Sequence, residues 1–181
     1  MGRPKCFNRE QVLADALPLF LEKGFADTSV QDLERATGVN KSGLYSEFED
    51  KEDLYLSSLA QYVENPAAAE VLSAKPLGWA NVERFLRMAF ECRAQKGCFV
   101  VNSVRELSIL PPRAKSIITN HLKRVRGMLV DNLEGKTKAD PGVVADIILT
   151  FNSGTSLEQN LRSLEKSGER VDVFMRMLRS L

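Results

Sequence analysis

Histidine and cysteine are scarce in this chain of 181 residues: there is one histidine, His121, and three cysteines, Cys6, Cys92 and Cys98. An odd number of cysteines with no CxxC spacing argues against a disulfide framework or a zinc site. A lone imidazole, with no HExxH and no nucleophile–base pairing around it, gives metal or acid–base catalysis little to build on. No enzymatic activity and no cofactor are therefore expected. Long apolar runs are missing too, since none reaches the roughly 18 residues that a membrane span needs. The N-terminal MGRPKCFNREQ is polar and lacks the apolar stretch of a secretory signal. The expectation is a cytoplasmic protein with no membrane partner. Internal repeats and low-complexity segments are also lacking.

An excess of charge of one sign is absent as well, the formal net charge being +1. Its distribution is uneven: residues 1–62 hold seven Lys/Arg against eleven Asp/Glu, a net −4, and the remainder carries +5. A domain that binds nucleic acid is usually basic. Any such face in the N-terminal region must therefore be local, built from a few cations and helix ends.

The composition that remains, 44% hydrophobic and 27% charged, is ordinary for a globular protein, and almost every segment reads helical. Leu13, Ala16, Leu17, Phe20 and Leu21 recur at helical spacing between Asn8, an N-cap with Gln11 placed for a capping box, and Gly24, a C-terminal stop. This predicts a first helix over Arg9–Lys23. Thr28 and Ser29 can cap a second helix through Thr37, with Val30, Leu33 and Ala36 inward. Gly38 allows a tight turn. Asn40 caps a third helix with Leu44 and Phe48 inward, and Asp50 a fourth bearing Leu54, Leu59 and Tyr62. Two short helices around a glycine turn, backed by a longer helix, make a helix-turn-helix unit.

Asn65-Pro66 punctuates the chain and suggests a boundary between residues 1–63 and 64–181. Beyond it, helices are expected near Ala67–Ala74, Trp79–Gln95, Phe99–Ser108, Arg113–Leu133, Val143–Lys166 and Arg170–Leu181. The fold class is all-α, with about nine or ten helices.

The segment TSVQDLERATGVNKSGLYSEFEDKEDLYL at residues 28–56 resembles the TetR/AcrR (tetracycline-repressor) family of bacterial regulators. The matching elements are Lys23-Gly24-Phe25, Ala36-Thr37-Gly38-Val39, Lys41-Ser42-Gly43-Leu44-Tyr45, and Phe48 followed by Asp50-Lys51-Glu52. The resemblance covers about residues 7–60 and implies a homodimer that binds a palindromic double-stranded DNA operator, most often as a repressor. A recognition helix presents its first turn to base edges in the major groove. Here that turn is Lys41-Ser42-Gly43, with Asn40 at its start, Tyr45 one turn on, and a glycine that would let backbones approach closely. The resemblance also implies phosphate contacts from Thr28, Ser29 and Lys51 at helix N-termini. The tail Gly2-Arg3-Pro4-Lys5 looks like an AT-hook core, which would put Arg3 and Lys5 at the minor groove; an ordinary basic terminus is the alternative. Two residues depart from the pattern. Glu47 stands where many relatives have a phosphate-compatible residue, and Glu34 where helix-turn-helix units often have alanine.

For the remainder, the resemblance implies dimerisation through the last two long helices. Val143, Val144, Ile147, Ile148, Phe151, Leu157, Leu161, Phe174, Met177, Leu178 and Leu181 supply the apolar surface there. It also implies a small-molecule effector among the middle helices. Phe85, Met88, Phe99, Leu122 and Val125, with Asn102 and His121 as polar handles, are candidates for that site, against the plainer reading of each as ordinary core. Cys98 begins a helix beside Lys96, a setting that can activate a thiol, and is a candidate for sensing oxidants or electrophiles. A competing reading from another class is a protein-interaction module with a degenerate helix-turn-helix, suggested by the −4 charge.

Overall fold

Asn8 opens the first helix, α1 (Arg9–Lys23), by accepting a hydrogen bond from the Glu10 amide at 2.9 Å. The structure, a computed structural model, describes residues 7–91, 97–161 and 167–181. The expected capping box at α1 is not formed. Gln11 instead donates to Asp15, its neighbour one turn on, at 2.9 Å, because the i,i+4 partner lies on its own face of the helix. The box falls at α2 (Val30–Thr37), where the Ser29 hydroxyl accepts from the Asp32 amide and the Asp32 carboxylate accepts from the Ser29 amide, both at 3.1 Å. Gly38, with φ 68°, turns the chain after α2. The Asn40 side chain then starts α3 (Lys41–Leu44) by accepting from Gly43 N at 2.8 Å. Backbone i→i+4 bonds carry the helical path on to Phe48.

Asp50 caps α4 (Lys51–Glu64) through the Asp53 amide at 2.8 Å. There follow α5 (Ala67–Ser73), α6 (Trp79–Glu91), α7 (Phe99–Val104), α8 (Pro112–Leu133), α9 (Pro141–Gln159) and α10 (Ser167–Arg179). All elements among the described residues are helical. The expected extension of the sixth helix to Gln95 falls on residues outside those described; the ninth stops at Gln159, with Asn160 as its C-cap and Leu161 in a turn, and the rest of its expected range to Lys166 lies outside the described residues. The seventh helix is shorter than expected, stopping at Val104 before a run of tight turns. Ala36, expected inward, is exposed, since the short α2 buries only the side bearing Leu33.

Two apolar cores form. In the first, α1 to α4 close over Phe20, Leu33, Leu44, Phe48, Tyr55 and Leu59, and the same cluster continues into Phe99, Val100, Ala114 and Ile118. The apolar interior of the N-terminal region therefore extends past Asn65-Pro66 and takes in α7 and the start of α8. The second core joins α5, α6, α8, α9 and α10 around Leu72, Val82, Leu86, Leu129, Val144, Ile148 and Val171. Buried Asn132 ties its edges, accepting from Gly78 N and Asn81 Nδ2 at 2.9 Å and donating to the Leu72 and Met128 carbonyls at 2.7 Å. A fully bonded amide of this kind is what a dry interior tolerates.

The surface of α9 and α10 separates the residues grouped above as a dimer face. Val144, Ile148 and Leu178 belong to the core of the monomer, while Val143, Ile147, Leu157, Leu161, Met177 and Leu181 are exposed. Phe151 and Phe174 stack at 3.9 Å between centroids and are half-buried.

An aromatic cluster centred on Tyr55 bonds the first core together. Its ring meets Phe20 at 4.9 Å, Phe99 at 5.1 Å and Phe25 at 5.2 Å, each edge-on. That geometry favours the ring quadrupoles. Its hydroxyl lies 2.8 Å from Ser103 Oγ. Ser103 gives its own proton to the Phe99 carbonyl at 2.7 Å, so Tyr55 is the donor. Burial, with the charge of Glu106 nearby, pushes the phenol up to about 12. The neutral phenol is thus favoured by folding. Its contribution to stability is full below the ordinary tyrosine range and is lost as pH rises toward 12. Ultraviolet titration should show one tyrosine ionising only near that pH, and Tyr55→Phe should remove this late component. The substitution should cost about 1 kcal/mol, the typical value of one lost hydrogen bond.

Candidate functional site

The helix-turn-helix presents one exposed polar rim. Lys41, Ser42 and Tyr45 all face solvent on the first turns of α3, with the Lys41 ammonium 5.8 Å from the centre of the Tyr45 ring. Asn40 is also exposed, and its side-chain oxygen caps Gly43. Leu44 and Phe48 anchor the opposite side in the core. The Arg9 guanidinium lies over the Phe48 ring at 4.8 Å and donates to Ser57 at 3.0 Å, bracing the end of this segment against α4.

Several residues assigned to this face have other roles. Thr28 is fully buried and donates to the Gly24 carbonyl at 2.6 Å, so the expected phosphate contact from its side chain is corrected to a structural one. Ser29 remains exposed at the α2 N-terminus. Gly43 was expected to allow a close approach from outside. A Cβ there would instead meet Val39 Cγ1 at 2.7 Å and Phe7 Cε1 at 3.2 Å, so the glycine is required by packing within the turn. Lys51 directs its ammonium to the Phe25 and Thr28 carbonyls, both at 2.9 Å, and over the Phe25 ring at 4.3 Å. Arg3 and Lys5 lie outside the described residues.

The acidity of this region has a local explanation. Asp32 binds Ser29 and forms ion pairs with Lys23 at 3.0 Å and Arg35 at 2.6 Å. The Ser29 hydroxyl first, then Lys23, hold its carboxyl well below the ordinary carboxylate range. Asp50 and Asp53 accept backbone amides at the start of α4, the latter from Glu49 N at 3.1 Å. Glu34, out of place in the sequence pattern, reaches across the turn to accept from the Lys41 amide at 2.5 Å. Carboxylates at helix starts offset the macrodipole and satisfy free amides. Much of the −4 charge is thus engaged in capping. Glu47 is half-buried.

A cavity of about 800 Å³ opens among α1, α4 to α9. Phe85, Met88, His121, Leu122 and Val125 line it as expected, and so does Cys98. Two expected lining residues do not. Phe99 is fully buried in the aromatic cluster, and Asn102 points toward α1, donating to the Leu21 carbonyl at 3.3 Å. Burial, with the Arg124 cation beside it, pushes the His121 imidazole down from its ordinary value and so favours the neutral ring. The Tyr62 hydroxyl donates to Cys98 Sγ at 3.6 Å. Tyr62, read from the sequence only as part of the apolar face of α4, and the α9 row of Asn152, Ser153, Ser156 and Gln159, not singled out at all, also line the cavity. The signal for the row was there: Asn152-Ser153-Gly154-Thr155-Ser156 interrupts an otherwise apolar helix.

These features agree with comparison to known proteins. The pattern of the bacterial regulatory proteins of the tetR family matches residues 12–57. YezE of Bacillus subtilis (strain 168), an uncharacterised HTH-type transcriptional regulator, is 32% identical over 195 aligned positions, which cover 98% of this chain and 100% of that protein. The chain belongs to the TetR family. It is a transcriptional regulator, as its family relatives are. ComR of Escherichia coli (strain K12), an HTH-type transcriptional repressor, is 36% identical over 115 positions, covering 59% of this chain but only 54% of that protein. The fold matches the solved structure of a cysteine mutant of the TetR-family regulator CifR with 26-base-pair operator DNA: TM-score 0.76, 22% identity, 98% of each chain covered. No helix among the described residues is long and apolar enough to cross a membrane.

The packing of Gly43 in this TetR-family head has a measurable consequence. Alanine is worth about 1 kcal/mol over glycine in a helix, whereas overpacking a closed site costs about 1–3 kcal/mol. With Val39 only 2.7 Å from the new Cβ, overpacking prevails. Gly43→Ala should lower stability by about 1 kcal/mol in urea unfolding; a stabilised variant would contradict the assignment.

Proposed function

We propose that this regulator represses transcription as a homodimer whose two α3 segments read the half-sites of a palindromic operator. The observation that carries the reading is the rim of α3: Lys41, Ser42 and Tyr45 are exposed together on a segment anchored from behind by Leu44 and Phe48. Lys41 is suited to guanine edges or a phosphate, Ser42 to several base edges, and Tyr45 to a phosphate or a thymine methyl. Exposed Ser29 and Asn40, the backbone at Lys51, and the Arg3–Lys5 tail would add contacts to phosphate and minor groove. In this division residues 1–63 bind DNA, and residues 64–181 sense and dimerise.

The apolar residues left exposed on and just beyond α9 and α10, with Met177 62% and Leu161 85% exposed, support a partner surface that a second copy would cover. The cavity of about 800 Å³ supports a small-molecule effector. Footprinting on the upstream DNA should give two protected half-sites centred roughly 34–36 Å apart or a multiple of that spacing. The log–log salt slope of binding should be about 0.9 per neutralised phosphate, and sedimentation should return a dimeric mass. A monomer, or no salt-sensitive binding, would favour a protein-interaction module instead.

A second reading of the signal rests on the position of Cys98 in the cavity wall beside Tyr62. An activated alkene entering the cavity would form a carbon–sulfur bond at its β-carbon with the Cys98 sulfur as its C=C π bond breaks, and the thiol proton would end on the α-carbon. Peroxide would oxidise the thiol to a sulfenic acid and leave as water. Operator release by either reagent should disappear in Cys98→Ser; release that persists unchanged rules out this residue as the sensor.

A further inference from the structure

The segment between α1 and α2 is held from two directions. Its amides are held by the far end of the α7 region: Glu106 accepts from Phe25 N at 2.8 Å and from Ala26 N at 3.0 Å. Its carbonyls are held by α4, through Lys51 on Phe25 and Thr28. One carboxylate and one ammonium thus take the donors and acceptors of the same short stretch, from which α2 starts. The surroundings repeat the connection. Asn102 donates to Leu21 at the end of α1 and accepts from Asn160 of the segment following α9 at 2.8 Å, and Ser103 receives the Tyr55 proton of α4.

The other side of this short helix faces the cavity. Cys98, Val100 and Val101, at the start of α7, are all in the cavity wall. Only a few residues separate that wall from Glu106, with no long loop between. The same short stretch of chain therefore touches both the cavity and the segment that launches α2. Two backbone amides on one ionised carboxylate form a charge-assisted, two-point grip that fixes direction as well as distance.

We propose that Glu106 is a positioning residue for operator recognition: through Phe25 and Ala26 it sets the tilt of the helix-turn-helix relative to the cavity. This rests on the regulator reading above. Glu106 touches no base, so its effect falls on specific binding, which needs both heads of a dimer correctly aimed. Nonspecific binding, which needs only charge, is left alone.

The test uses the full chain, the duplex protected in the footprint, and an unrelated duplex of the same length. In Glu106→Gln the side chain is nearly isosteric but offers one oxygen and one NH2, and because the two amides bond to different carboxylate oxygens, one of them would face the NH2 donor instead of an acceptor. The expected result is a loss of operator affinity of about tenfold or more, unchanged affinity for the unrelated duplex, and faster hydrogen exchange at the Phe25 and Ala26 amides. Glu106→Asp, which keeps the charge but shortens the reach, should fall between, and serves if the glutamine variant does not fold. Unchanged operator affinity, or equal loss on both duplexes, overturns the proposal. A wild-type protein that does not discriminate between the duplexes overturns the regulator reading itself, and this proposal with it.

Discussion

The arrangement of the molecule depends on the ring of Tyr55. It stands on α4 yet is enclosed by rings from α1, from the segment after α1 and from α7, and its hydroxyl is matched to Ser103. Edge-on aromatic contacts contribute beyond their buried area, and a buried hydroxyl with one partner accepts few alternative placements. Three stretches distant in sequence, residues 20–25, 55 and 99–103, are thereby locked to one point. The helix-turn-helix and the cavity end are consequently a continuous packed body at this junction.

Much of the head was legible in the sequence because its determinants are local. Asn8, Gly24, Ser29, Gly38, Asn40 and Asp50 act on amides and dihedrals within a few residues, so helix limits follow from residue type and spacing. The TetR-like pattern at residues 28–56 was legible for the same reason. What escaped depends on groups brought together by folding. Glu34 reads as an anomaly until its carboxylate is found on Lys41 N across the turn. Thr28 and Ser29 are chemically similar neighbours, and only packing decides that one turns inward. Lys51 looks like a free cation at a helix start, yet its partners lie 23 and 26 residues earlier.

The cavity shows the same limit. Helical periodicity marks Phe85, Met88, Phe99, Leu122 and Val125 as an inward set without saying whether they meet a solid neighbour or an opening. Phe99 meets three aromatic rings and the others line the cavity. Periodicity is equally silent on α9, where apolar residues divide between core and exposed surface while a polar row turns to the cavity.

The capping carboxylates of the head also bear on how such a protein would travel through a genome. Most of a chromosome is an immense excess of wrong sites, held through charge alone. A helix-turn-helix region whose own acids outnumber its bases offers charge alone little hold on a polyanion, so what such a region selects must come from the shape and placement of its few exposed donors.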